Sequence, residues 1–166
     1  MAFQTSITRS PAVAIEGMIA DSNDVIFDSC VAKAATLAPG RCVRRDTADA
    51  TPLVTVPTSA AQVTGDATNA PPLGVTMWDN TQLNNPYLVG DPVPVMRQGT
   101  MWVVREDSGD ESTPVYIRHT ANGGNTVIGG FAGAAGTGLA LAPAGFRWLT
   151  KTTATNQLAK LLVNLP

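Results

Sequence analysis

Between Asp91 and Val104 the chain reads DPVPVMRQGTMWVV, two short apolar strands joined at a glycine, and none of these side chains is suited to chemistry. Val93 and Val95 alternate with Pro92 and Pro94. A proline lacks the N–H that a central ladder position must donate, so Asp91 to Val95 suits an edge strand or the beginning of a strand. Gly99 marks a bulge or a tight bend, and the β-branched and aromatic residues from Thr100 to Val104 favour a pleated, half-buried surface. A chain built this way needs its strand edges covered, and a partner chain is a candidate cover.

The 166 residues fit one domain. A chain of that size buries roughly 70% of the surface its unfolded form exposes, so no metal or disulfide staple is required. Charged residues make up only 14%, the net charge is −2, and no dense Lys/Arg run occurs. Phosphate neutralisation needs clustered cations, so a sequence-independent nucleic-acid surface is excluded. Arg41, Arg44 and Arg45 form the one local basic cluster, read either as a solvated strand end or as a salt-bridge contact with a partner. Cys30 and Cys42 match no metal spacing and read as buried thiols in strands, which suits a reducing cytoplasm; the sequence does not place them within disulfide range. Arg9, Ser10, Pro11 and Glu16 interrupt every candidate signal-peptide window, and no apolar run approaches the ~20 residues of a membrane helix.

Residues 1–20 lack helical periodicity but carry Phe3, Ile7, Val13, Ile15, Met18 and Ile19, which predicts an extended arm that docks on something, ahead of a single β-rich domain over residues 21–166. DVIFDSCVAK (24–33) and RCVRRD (41–46), on either side of the Ala38-Pro39-Gly40 turn, predict a hairpin. LVTV (53–56) is a short strand, Ala60 to Val63 holds one helical turn at most, and LGVTMW (73–78) is a further strand. REDSGDES (105–112) reads as a polar connection, PVYIRHT (114–120) as an alternating strand before the ANGGN turn, and residues 123–145 as a long Gly/Ala loop with a short strand or two. The end of the chain predicts a closing hairpin in which Phe146 and Trp148 share a face and the last leucines lie on a strand. The fold class expected is all-β: a small β-sandwich or β-barrel of short antiparallel strands with little helix.

Chemistry finds little support. His119 is the only histidine, which excludes a histidine metal cluster, and no nucleophile elbow accompanies it; it reads as a strand-end residue beside a turn. Asp107, Asp110 and Glu111 cluster around Gly109 without the spacing of a calcium loop, and Asp21, Asp24 and Asp28 form no fixed carboxylate pair. The glycines of NGGNTVIGGFAGAAGTG lack a phosphate-loop motif. No catalytic residue, metal ligand or cofactor is assigned.

The ordered motifs GMIADSNDVIFDSCVAKAATLAPGRCVRRD, APPLGVTMW, VGDPVPVMRQGTMWVV, PVYIRHTANGGN and FRWLTKTTATNQLAKLLVNL span nearly the whole chain. In this order they resemble the capsid cement, or decoration, proteins of tailed bacteriophages. The resemblance implies a non-enzymatic β-rich protein, made in the host cytoplasm, that binds the outer capsid surface and stabilises contacts between major capsid protein subunits, with no nucleic acid, membrane or cofactor involved. It also implies a symmetric oligomer; a homotrimer is expected, because lattices offer threefold positions and a closed ring caps strand edges, with a dimer as the alternative. The candidate interaction residues are Phe3, Ile7, Ile15 and Met18 of the arm together with Arg41, Arg44 and Arg45. The rival class is a carbohydrate- or host-surface-binding module using Trp78, Tyr87, Trp102 or Trp148 as a stacking platform, against which an aromatic content of 5% weighs.

Overall fold

The computed structural model describes residues 14–33, 37–46, 52–66, 69–79 and 86–166. Its strands are β1 (Ile19–Ala32), β2 (Cys42–Arg45), β3 (Leu53–Thr55), β4 (Pro72–Thr76), β5 (Pro92–Arg105), β6 (Tyr116–Arg118), β7 (Phe131–Ala132), β8 (Leu139–Leu141), β9 (Phe146–Trp148) and β10 (Gln157–Asn164). A single helix is described, α1 (Ala60–Thr64), where Ser59 Oγ caps the first turn by accepting from Gln62 N at 3.4 Å. The all-β expectation holds, and the barrel is the form it takes. Strands β1, β3, β2, β4 and β5 pair in that order and β5 pairs back onto β1, so the five close on themselves and leave no edge among them.

The Asp91–Val104 region departs from the two-strand expectation. It lies on one 14-residue strand at the centre of the sheet, with β1 along one side and β4 followed by β10 along the other. The prolines are tolerated because they begin the strand and their peptide edges face away from β1. Asp91 O accepts from Ala32 of β1 at 3.0 Å, whereas Pro94 O faces the opposite way and accepts from Met77 N at 2.9 Å, just past the end of β4. Successive peptide groups alternate, so Pro92 and Pro94 share the orientation in which no β1 acceptor waits for an N–H.

A bulge interrupts this strand at Arg97, since Met96 and Gln98 stand opposite the adjacent Phe27 and Ile26 of β1, and Gly99 two residues on has φ 138°. Before it, Val93 and Val95 point into the barrel and Met96 points out; after it, Met101 and Val103 occupy the same outer core as Met96 despite their odd offset. An extra residue inverts the period-two alternation. The register on β1 shifts at the same level, between Ile26 and Phe27.

Two cores result. Cys30, Ala32, Val43, Val54, Val93 and Val95, with Leu37 and Tyr87, fill the barrel. The second core, with Val75, Met96, Met101, Ile117, Phe131, Trp148 and Leu161 among its members, lies outside it, where β7 joins β5 in parallel, β6 and β8 continue from β7, and β10 carries β9. The closing hairpin is present as predicted, with Leu161 opposite Trp148, and the Gly/Ala loop supplies β7 and β8.

The predicted 24–33/41–46 hairpin does not form. Gly40 N donates to Thr76 O at 2.7 Å and Leu37 pairs with Tyr87, so the turn is held against other strands and β2 runs along β4 while β3 takes the place beside β1. Cys30 and Cys42 are therefore not neighbours: Cys30 lies opposite Val93 in the barrel, Cys42 opposite Val75 in the outer core, and both are free. Burial pushes both thiols up from their ordinary range, with Asp28 adding to the effect at Cys30.

A side chain at Gly99 must adopt a backbone angle that L residues rarely visit, so Gly99→Ala should lose about 1–3 kcal/mol of stability in urea unfolding, and an unchanged midpoint would show that the strand does not depend on that angle. Tyr87 donates to Met77 O at 2.6 Å, and burial, then Asp79, push its hydroxyl up to about 12. A raised folded value means that stability is intact below the unfolded value near 10 and is lost as pH rises through 12. Stability measured from pH 9 to 12 should fall less steeply in Tyr87→Phe than in the wild type, and parallel curves would remove Tyr87 from that alkaline loss.

Candidate functional site

Three features stand out where side chains meet solvent: the root of the arm, a shell of buried ion pairs behind it, and exposed apolar residues on β1 and before β5. At the root, Met18 N donates to Ile15 O at 3.1 Å across a turn whose third residue, Gly17, has φ 83°. Gly17 N donates to Trp102 O at 2.7 Å and Gly17 O accepts from Trp78 N at 2.8 Å, and a Cβ at this position would lie 2.5 Å from that of Pro39. Only glycine makes this turn and this approach together. Glu16 is held by a fork-on-fork pair with Arg41 and also accepts from Val104 N at 3.3 Å, while Ala14 is buried. From this fixed turn Ile15 and Met18 project into solvent, 38% and 44% exposed.

The basic cluster does not act as one patch. Arg41 is spent on Glu16, Arg44 is buried, and Arg45 alone is exposed. Alternation along β2 is the reason, since successive residues face opposite sides of the sheet. Phe3 and Ile7 lie outside the described residues. The structure thus brings Ile15, Met18 and Arg41 to the arm root and places Arg44 and Arg45 further along β2.

The polar connection expected from Arg105 is not uniformly solvated. Arg105 is fully buried: its Nε donates to Asp107 Oδ1 at 2.9 Å, Nη1 to Asp110 O at 3.1 Å and Nη2 to Thr113 Oγ1 at 3.0 Å, with the guanidinium 4.8 Å from the Trp148 ring centroid. A Cβ on Gly109 or Gly133 would fall 2.1 or 1.8 Å from Nη2, so two glycines make room for the cation. Beside it, Arg118 donates from Nε and Nη2 to Glu106 at 2.7 and 2.6 Å, both residues being buried. The Glu106 hydrogen bonds hold the Arg118 guanidinium above its ordinary range against the opposing effect of burial.

These networks consume the groups from which chemistry would be built. Asp107, part of the carboxylate cluster, also accepts from Gly133 N at 2.9 Å. A cleft of about 270 Å³ between the arm root and the 124–127 turn is lined by Glu16 and Glu106, whose carboxylates are already bonded to arginines. His119 Nδ1 lies 2.9 Å from Thr120 Oγ1; partial burial, then Arg118, lowers its pKa. Among the described residues no group of three or more His, Cys, Asp or Glu is placed to hold a metal ion. The stacking platform of the carbohydrate reading is overturned in part: Tyr87 and Trp148 are buried, and Trp102 lies under Lys160, whose Nζ is 5.2 Å from its ring centroid.

Further exposed apolar residues lie outside the arm. Ile26 and Phe27 are 52% and 56% exposed, and Leu88 and Val89 in the turn before β5 are exposed as well. The one signal available was DVIF between Asp21 and Asp28, an apolar run with acidic residues on both sides.

Comparison with known proteins places these surfaces in context. Residues 3–164 match the family model described as structural cement protein (E217 gp24/Pam3 gp6). A solved structure described as the capsid of Myoviridae phage XM1 contains a chain of the same fold, with a TM-score of 0.66 at 16% identity over 99% of this chain and 98% of that one. No curated protein matches.

Breaking one buried ion pair tests how far these surfaces depend on the shell behind them. Glu106→Ala leaves Arg118 charged and buried, so unfolding stability should drop by about 3 kcal/mol or more. A loss below about 1 kcal/mol would show that water reaches and compensates Arg118.

Proposed function

The chain belongs to the structural cement protein family of phages, and from that premise we propose that it binds the outer surface of an assembled head, across joints between major capsid protein subunits, as a closed homotrimer. The observation that carries this reading is the family match from residue 3 to residue 164, which takes in both cores and the arm root together. The free chain keeps large apolar side chains in solvent at Ile15, Met18, Ile26, Phe27, Leu88 and Val89. Such residues are expected where a surface meets neighbours. The described carboxylates of the cleft are bonded to arginines, in keeping with a role that is mechanical and not catalytic.

In this reading the arm supplies the grip. Phe3, Ile7, Ile15 and Met18 lose solvent against a neighbouring subunit or the head. At ~25 cal/mol per Å², two or three such side chains contribute several kcal/mol, offset by ordering costs of ~1–2 kcal/mol per fixed residue. The turn at Gly17 reduces that offset, because Ile15 and Met18 are positioned before contact. A modest net gain per copy becomes firm attachment when it is repeated around an oligomer and over a shell.

Deleting residues 2–13 spares Ala14 and the Glu16–Arg41 pair, so the barrel should keep its far-ultraviolet circular dichroism. Attachment to undecorated heads, measured by co-sedimentation, should weaken by at least about tenfold. Undiminished binding would show the arm to be a passive tail. Cryo-electron microscopy of the native particle would locate the chain directly, and density on the inner face of the shell would refute the placement proposed.

A further inference from the structure

The turn after β6 holds Asn122, the only asparagine in the chain that is followed by a glycine. Asn122 N donates to Asn125 O and Asn125 N to Asn122 O, both at 3.0 Å, which closes a two-residue loop over Gly123 and Gly124. Gly123 has φ 57°, the positive angle such a loop asks of its first central residue. Asn122, Gly123 and Gly124 are exposed, and a Cβ built on either glycine meets nothing within 4 Å. Neither the Gly123 N–H nor the Asn122 side-chain amide holds a hydrogen bond to a described residue.

A free amide carbonyl thus stands next to an uncrowded, unbonded backbone nitrogen, in water. We propose that Asn122 is a modification site, where the folded chain undergoes spontaneous hydrolytic deamidation with Gly123 N as the nucleophile and water as the co-reactant. Gly123 N loses its proton to solvent and attacks Asn122 Cγ, forming an N–Cγ bond. The Cγ–Nδ2 bond breaks, and Nδ2 leaves as ammonia with a proton returned by solvent. Water then opens the cyclic imide: attack at Cγ gives aspartate, and attack at the main-chain carbonyl gives isoaspartate. Over both steps water is consumed and ammonia released, and nothing is oxidised or reduced. Nucleophile and carbonyl belong to adjacent residues, so ring closure is unimolecular, and asparagine is among the thermolabile side chains.

The fold makes this site selective. The Asn69 amide is tied to Asp66 at 3.0 and 3.1 Å. Leu165 N, the nucleophile Asn164 would need, donates to Arg97 O at 2.9 Å. Asn125 and Asn156 precede Thr126 and Gln157, whose side chains crowd the attacking nitrogen. Either product adds a carboxylate to a chain whose net charge is −2, on a turn that lines the cleft beside Glu16 and Glu106. Isoaspartate also adds an atom to the main chain of a two-residue loop, so the paired Asn122–Asn125 bonds no longer both close. The inference does not depend on the cement reading. Where that reading holds, copies on a finished head are not replaced, and conversion accumulates with the age of the particle.

The test incubates the full chain in warm, mildly alkaline buffer made with heavy-oxygen water, folded and in urea, and follows each asparagine by peptide mass spectrometry. In the folded chain Asn122 should take up heavy oxygen at least about tenfold faster than Asn69, Asn125, Asn156 or Asn164, and within about tenfold of its own rate in urea. Gly123→Ala, which crowds the nucleophile, should slow uptake at least about tenfold with unchanged circular dichroism. Because that substitution strains the turn, Asn122→Gln serves as a second variant: its longer side chain closes a larger ring, and it should show the same slowing with the backbone undisturbed. Uptake confined to the urea-unfolded chain would overturn the proposal, since the fold would then protect Asn122. So would another of these asparagines reacting faster, or a variant that keeps the wild-type rate.

Discussion

Because the extra residue at Arg97 lets β5 present Val93 and Val95 to the barrel and Met96, Met101 and Val103 to the second core, the two hydrophobic clusters share one strand and cannot come apart without breaking it. The barrel needs β5 to pair with both β1 and β4, and the outer layer needs the second half of β5 for β10 and its last residue for β7. A strand that kept strict alternation through residue 97 would turn Met101 and Val103 away from the core that Met96 occupies. The inversion also accounts for the surface. Opposite the same stretch β1 shifts register, and Ile26 and Phe27, paired there with Gln98 and Met96, stay more than half exposed.

What could be read from the sequence was what local patterning determines. The all-β class, the helical turn at Ala60, the strand at Leu73 and the closing hairpin follow from β-branched runs, turn residues and short-range alternation, and they recur in the structure. Pairings between distant segments were not legible. The loop after Lys33 looks like a hairpin turn, yet Leu37 and Gly40 bond to Tyr87 and Thr76, some 50 and 36 residues on, and only those contacts send β2 to β4. Pro92 and Pro94 permitted either an edge or a strand beginning, and which one holds depends on where β4 stops. The same limit hid the candidate surface. DVIF looks alike whether its apolar residues face a core or solvent, and the bulge that decides it lies partly on the partner strand.

Burial of charge was equally unreadable. Arg105 and Glu106 open a run of polar residues, and composition alone puts them in water, but each has a partner waiting: Asp107 and two glycines for the one, Arg118 for the other. Such pairs add little net stability over well-packed apolar residues, because desolvation offsets much of their attraction. Their geometric demand is higher. The Arg105 fork ties the connection after β5 to Asp110 and Thr113 and stacks on Trp148 of β9, while Asp107 binds Gly133 beyond β7. Long connections that would otherwise move are thereby held to the sheet at several points.

A cement protein has to stay soluble while free and yet present enough apolar surface to hold once in place. With only 14% charged residues, long-range attraction between surfaces is weak, so attachment has to come from shape and apolar contact. Large exposed side chains come from separate segments: Ile15 and Met18 on the arm root, Ile26 and Phe27 on β1, Leu88 and Val89 before β5. Small separate patches avoid the aggregation that one large patch would invite. Each patch adjoins rigid backbone, whether the turn at Gly17, the β1 bulge or the Tyr87–Leu37 pair, so little conformational entropy remains to be lost on contact. Several weak contacts, pre-shaped and repeated by symmetry, then add where a single strong one would have to be exposed all at once.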